Sequence, residues 1–148
     1  MELNSQIRNV LLAEDDEDDV LIFKLALNKL SIVIELKQAA DGDMLLELLR
    51  KEIPDIIFLD IRMRGKDGLA TIFEIRRNSE YNQVPVIMYT SQKGEKYIDE
   101  CYMSGANFYL VKANTISRLA EKLKVIFSID WKNFTYYPPK SEFVLNGE

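Results

Sequence analysis

Four apolar runs, each four residues long, stop abruptly at a residue able to handle phosphate. Val10-Leu11-Leu12-Ala13 runs into Glu14, Asp15 and Asp16, and Ile56-Ile57-Phe58-Leu59 stops at Asp60. Val86-Ile87-Met88-Tyr89 stops at Thr90 and Ser91, and Phe108-Tyr109-Leu110-Val111 stops at Lys112. Such runs are too short for helices and lack the alternation of a half-exposed strand, so they read as strands buried on both faces. A parallel sheet covered by helices gathers the carboxyl ends of its strands along one edge, where ligands bind. Side by side, these four ends would bring carboxylates, a hydroxyl and an ammonium to one place. That inventory suits a divalent cation and a phosphoryl group.

Helical stripes fill the gaps between the runs. Val20, Phe23, Leu27 and Leu30 recur at spacings of 3, 4 and 3, as do Ile116, Leu119, Leu123 and Ile126. Leu45, Leu48 and Leu49 follow Asp41-Gly42-Asp43, which breaks the chain and can cap a helix. Leu69, Ile72 and Phe73 follow a glycine loop at 65–68, and residues 94–104 carry a weaker stripe that Gly105 ends as a left-handed cap. The β-branched segment 32–36 reads as the second strand. The pattern is (βα)₅, and right-handed crossovers then predict a doubly wound α/β sheet over residues 1–128. Residues 129–148 stand apart as an aromatic-rich extension with Trp131, Phe134, Tyr136, Tyr137 and Phe143. Such a segment is expected to pack on the domain or on a partner.

Composition removes several functions. The chain has 148 residues, 47% of them hydrophobic, which is the size and make-up of one globular domain. A net charge of -5 speaks against a nucleic-acid partner, which needs a basic face. Cys101 is the only cysteine and histidine is absent, so neither an internal disulfide nor a Cys–His dyad can form. Nothing resembles a signal peptide or a membrane span, so a cytoplasmic protein is expected.

Asp60 is the candidate nucleophile, because a strand-terminal carboxylate can accept a phosphoryl group as an aspartyl phosphate. Asp15 and Asp60, with the backbone carbonyl of Arg62, would suffice for Mg²⁺ or Mn²⁺, and Glu14 could act through a water. Thr90 offers a hydroxyl and Lys112 a positive charge to phosphoryl oxygens. Each has a plainer reading when taken singly. Residues 14–19 are six consecutive acids that a helix N-terminus would favour, Asp60 and Thr90 are ordinary caps, and Lys112 is a solvent-facing lysine.

Taken together and in order, the acidic pair after the first strand, "FLD", "MYTS" and "FYLVK" resemble the receiver domain of two-component response regulators. The opening "EDDEDDV" is similar to stand-alone receivers of the phytochrome-associated type. The resemblance, over about residues 7–128, implies a flavodoxin-like fold with a five-stranded sheet of order 2-1-3-4-5. It implies a metal at Glu14, Asp15, Asp60 and the Arg62 carbonyl. Asp60 would be phosphorylated by a sensor histidine kinase or phosphotransfer protein, with Thr90 and Lys112 at the phosphoryl group. Thr90 and Tyr109 would form a switch pair, and the surface of the fourth helix, fifth strand and fifth helix would choose an unidentified downstream partner. Such a protein is a signalling switch rather than an enzyme in the usual sense, though it takes up and sheds its phosphoryl group with its own side chains. A homodimer involving the extension is a further expectation.

Three departures from the family pattern matter, the third a pair of residues. Ala113 replaces the usual proline after the lysine, which raises the cost of the family's cis bond to about 2.5–4 kcal/mol. Arg64 replaces a frequent proline in the loop after the acceptor. Arg62 and Gln92, two residues beyond Asp60 and Thr90, flank the path of attacking water and are candidates for tuning phosphoryl lifetime. Two alternatives stay open: a receiver-like binding module that is never phosphorylated, and a haloacid-dehalogenase-type phosphohydrolase. The second wants an acid/base where Arg62 stands, and a guanidinium cannot shuttle protons near neutral pH.

Overall fold

The computed structural model describes residues 3, 7–131 and 136–145. Strands β1 (Asn9–Ala13), β3 (Ile56–Leu59), β4 (Val86–Thr90) and β5 (Phe108–Val111) coincide with the four apolar runs, and all but Asn9 of their residues are buried. With β2 (Glu35–Ala39) and β6 (Val144–Leu145) they form one sheet of order β2-β1-β3-β4-β5-β6, in which every pairing is parallel. The order 2-1-3-4-5 thus stands, with a sixth strand added at the β5 edge by the extension. Two helices, α1 (Glu17–Asn28) and α5 (Ile116–Phe127), pack together over one face. On the other face lie α2 (Gly42–Lys51), α3 (Gly68–Arg77) and α4 (Glu95–Met103), and a single 3₁₀ turn (Ser79–Tyr81) follows α3. Each face of the sheet feeds its own apolar cluster, because alternate strand residues point to opposite sides. Leu11, Ile57 and Met88 serve one cluster, and Leu12, Phe58 and Ile87 the other.

Capping residues set the helix starts. The side chains of Asp16, Asp41, Asp67 and Thr115 each accept a backbone N–H from the first turn of α1, α2, α3 and α5. Gly105, at φ +96°, ends α4 in the left-handed region expected of it, and Ala106 N–H donates back to the Cys101 carbonyl.

One strand differs from the expected position. The segment 32–36 was expected to form β2, yet the strand runs three residues later, pairing Asn9 with Glu35 and Ala13 with Ala39. An edge strand needs only one apolar face: Glu35 and Lys37 face water while Leu36 and Gln38 are half-buried. The β-branched Val33 is 84% exposed, so its propensity had no packing partner to act through.

The loop from β3 to α3 is held by close contact at Gly68. A Cβ there would come within 2.2 Å of the Asp60 carbonyl oxygen, and Gly68 N–H donates to the Ile61 carbonyl at 2.9 Å. Backbone cannot yield as a flexible side-chain end can. Gly68→Ala is therefore expected to lower stability by about 1–3 kcal/mol, read from the urea midpoint. Gly94→Ala, where a new Cβ meets only the Tyr97 ring at 3.4 Å, should leave that midpoint nearly unchanged.

Candidate functional site at the carboxyl edge of the sheet

The carboxyl ends of β1, β3, β4 and β5 meet at one edge, and Lys112 crosses it. Its Nζ lies 2.9 Å from Asp60 Oδ2, 2.6 Å from Glu14 Oε1 and 2.8 Å from Asp19 Oδ2. It also stands 5.3 Å from the centre of the Tyr89 ring. β4 lies between β3 and β5, so the long lysine stem spans the strand that carries Thr90. Glu14, Asp60 and Thr90 are all buried. The Lys112–Ala113 bond is trans, since the described residues hold no cis peptide bond, and Lys112 reaches Asp60 all the same.

Electrostatics at this edge are lopsided. Three carboxylates share one ammonium, and Asp15 adds a fourth negative charge nearby. Burial pushes the Glu14 carboxyl up to about 7; the bond to Lys112 opposes this, and the charge of Asp60 adds to it. Burial alone would lower the proton affinity of Lys112, but its bonds to Asp19, Glu14 and Asp60 raise it, so the ammonium persists. Although ion-paired with Lys112, Glu14 Oε1 has no well-directed hydrogen-bond donor. Buried carboxylates in excess over the one ammonium make this edge a place where a hard cation gains.

Asp15 follows Glu14 at the end of β1, and its Oδ2 accepts the Arg64 backbone N–H at 3.0 Å. Asp60 Oδ1 accepts the Arg62 backbone N–H at 3.4 Å. Among the described residues no three acidic or cysteine side chains form a ready-made metal cage. Magnesium does not require one, because it takes one or two carboxylates and keeps several waters. The carboxylate oxygens of Asp15, Asp60 and Glu14 are the hard donors that such a divalent ion takes.

Thr90 ends β4 and caps no helix; α4 begins later, after Gly94. Its Oγ1 accepts the Gln92 N–H at 3.3 Å, which leaves the hydroxyl proton free to donate. Tyr109 is fully buried, and its hydroxyl donates to the Gln92 carbonyl at 2.6 Å. The Arg62 guanidinium turns toward α4 and donates to the Tyr97 hydroxyl at 2.9 Å. A cleft of about 530 Å³ opens beside the acceptor loop, walled in part by Asp15, Arg62, Arg64 and Tyr97.

Two participants escaped the sequence reading. Asp19 counted only as one more acid in a run, yet the run divides three ways. Glu14 and Asp15 follow the strand, Asp16 caps α1, and Asp19 turns back to Lys112 from the first helical turn. No local signal marked Asp19, because the contact joins segments 93 residues apart. Tyr97, in the weak stripe of α4, packs against the core as that stripe implies, and its hydroxyl also holds Arg62.

A family model described as the response regulator receiver domain matches residues 10–124. The chain belongs to this receiver-domain family. Among curated relatives, chemotaxis protein CheY-3 of Vibrio cholerae is 35% identical over 91 residues, covering 62% of this chain and 70% of that protein. Response regulator Rcp1 of Synechocystis is 27% identical over 126 residues, covering 80% of this chain and 86% of Rcp1. Solved receivers superpose closely. RPA3017, a response regulator in red-light signalling of R. palustris, gives a TM-score of 0.77 at 27% identity, covering 89% of this chain and 99% of that one. The Mn²⁺-bound form of Rcp1 gives 0.75 at 26% identity, again over 89% and 99%. The phosphorylated cyanobacterial phytochrome response regulator RcpA gives 0.73 at 27% identity, over 80% of this receiver and 90% of RcpA. The flavodoxin-like fold and the kinship with phytochrome-associated receivers expected from the sequence both stand. No helix among the described residues is long and apolar enough to cross a membrane.

Proposed function

We propose that this receiver accepts a phosphoryl group on Asp60 from a phosphohistidine of a sensor kinase or phosphotransfer protein, in the cytoplasm, and signals by protein–protein contact. The observation that carries this reading is Lys112 Nζ at 2.9 Å from Asp60 Oδ2 across an intervening strand. An oxygen of Asp60 attacks phosphorus, the bond from phosphorus to the donor nitrogen breaks, and its electron pair leaves with the imidazole. Lys112 follows the new negative charge, trading a carboxylate for a phosphoryl oxygen, and the Thr90 hydroxyl donates to another. Asp15, Asp60 and the Arg62 carbonyl would hold Mg²⁺ or Mn²⁺, with Glu14 acting through water. Such an ion neutralises the charge of the transferring group. Thr90 and Tyr109 then serve as the switch pair, linked through Gln92.

Incubation with Mg²⁺ and acetyl phosphate, read by intact mass, tests the reading. One phosphate adduct per chain is expected, lost at alkaline pH. A chain that stays unmodified under acetyl phosphate and under a phosphorylated kinase would instead be a receiver-like binding module.

Arg62 supplies a second check. Its side chain walls the cleft beside the acceptor loop, and we infer that it partly screens the phosphoryl group from water, with Gln92 as the second candidate for this role. Arg62→Ala is expected to shorten the lifetime of the adduct several-fold, roughly the loss of one charged hydrogen bond. The measurement is adduct decay by mass after acetyl phosphate is removed.

A further inference from the structure

Residues 136–145 close over the flank of the sheet where Tyr109 lies. Strand β6 pairs Val144 with Tyr109 and Leu145 with Leu110, so Val144 shares the face of the Tyr109 ring. The short helix α6 (Lys140–Phe143) delivers Phe143 just before it, fully buried. The Phe143 ring centre is 6.1 Å from that of Tyr109 and 5.0 Å, edge-on, from that of Tyr102 on α4. Polar contacts fasten the same segment. Asn107 Nδ2 donates to the Tyr136 carbonyl at 2.8 Å, the Tyr102 hydroxyl donates to the Pro138 carbonyl at 3.3 Å, and Lys140 pairs with Asp99.

On the inner side, Tyr109 reaches the site through a short chain of bonds. Its hydroxyl holds the Gln92 carbonyl, and the Gln92 N–H holds Thr90 Oγ1. A phenol fixed by one hydrogen bond keeps its rotamer only while its other flank is filled, because an empty flank offers alternative staggered wells. Phe143 fills that flank. We propose that Phe143 is a positioning residue of the phosphoryl site: by closing the outer side of Tyr109 it keeps the loop 90–92, and with it the Thr90 hydroxyl, in place. The C-terminal segment is then part of the switch rather than an appendage. The inference rests on the reading of Asp60 as phospho-acceptor.

Two sites coupled in this way must influence each other equally. Beryllofluoride with Mg²⁺ serves as a reversible phosphoryl mimic on the full chain, with acetyl phosphate labelling of Asp60 run alongside. Phe143→Ala is expected to weaken beryllofluoride binding about fivefold, the lower end of ordinary coupling between sites. It should also move the ¹⁹F resonance of fluorotyrosine at Tyr109 toward its solvent position. Phe143→Leu, which refills the flank, should restore both, and Tyr137→Ala, at a half-exposed ring on the same segment, should match the parent chain. Should Phe143→Ala fail to fold, the parent chain carries the test: beryllofluoride should slow hydrogen exchange of the Val144 and Leu145 amides by the same factor. Unchanged affinity and an unmoved Tyr109 resonance in a folded Phe143→Ala, or unchanged exchange in the parent chain, overturns the role of Phe143 while Asp60 still takes phosphate. Absence of any adduct on the parent chain overturns the reading of Asp60 and the inference with it.

Discussion

Asp60→Asn is expected to abolish the acetyl phosphate adduct and, at the same time, to raise the melting temperature. The first effect follows from losing the only proposed acceptor, since an amide oxygen is no nucleophile for phosphorus at neutral pH. The second follows from charge. Lys112 faces Glu14, Asp19 and Asp60 at 2.6–2.9 Å, one positive charge against three negative ones. The substituted amide would keep the shape and one acceptor for Lys112 while removing a charge that opposes ionisation of Glu14. Relief of about 1 kcal/mol would raise the melting temperature by about 2–4 °C in a chain of this size. Intact mass and a thermal melt in chelator read the two effects. A variant that loses the adduct only because it is unfolded would show the opposite thermal shift.

Arg76→Ala is expected to be the most damaging single change outside the site. The guanidinium sits between α3 and the start of β5, donating to the carbonyls of Gly105, Tyr81 and Val84 and to Asn107 Oδ1, all at 2.9–3.0 Å. Asn107 is itself buried, accepting the Val86 N–H and donating to the Tyr136 carbonyl. Removing the arginine strands several part-buried acceptors at once, each costing about 1–3 kcal/mol when left unpaired, though not additively. A total loss of about 3–5 kcal/mol, or roughly 10 °C in melting temperature, is expected. Arg76→Lys should recover little, because one ammonium cannot serve acceptors spread around a planar fork. Denaturant midpoints of both variants decide the matter. A lysine variant as stable as the parent would show that charge, not geometry, holds this joint.

Much of this receiver was legible in its sequence. The four apolar runs became four interior parallel strands because strands buried on both faces must be apolar throughout, and few other structures tolerate that. Helix starts were readable at Asp41, and the end of α4 at Gly105, because caps and left-handed glycines act locally. The edge strand was misplaced by three residues, since its burial depends on which neighbour it meets rather than on its own propensity. The sixth strand carried no signal: two residues are too few for periodicity, and they pair only because an open β5 edge was waiting. Phe134, part of the aromatic extension in the sequence reading, lies outside the described residues.

Sequence by itself determined the alternation of strands and helices and the residue types at each strand end, because hydrophobic period and capping are short-range properties. Only the tertiary structure decided that Lys112 shares its charge with Asp19, 93 residues away, and that Phe143 backs Tyr109. Contacts between distant segments depend on how helices rotate over a twisted sheet, and no local pattern encodes that angle.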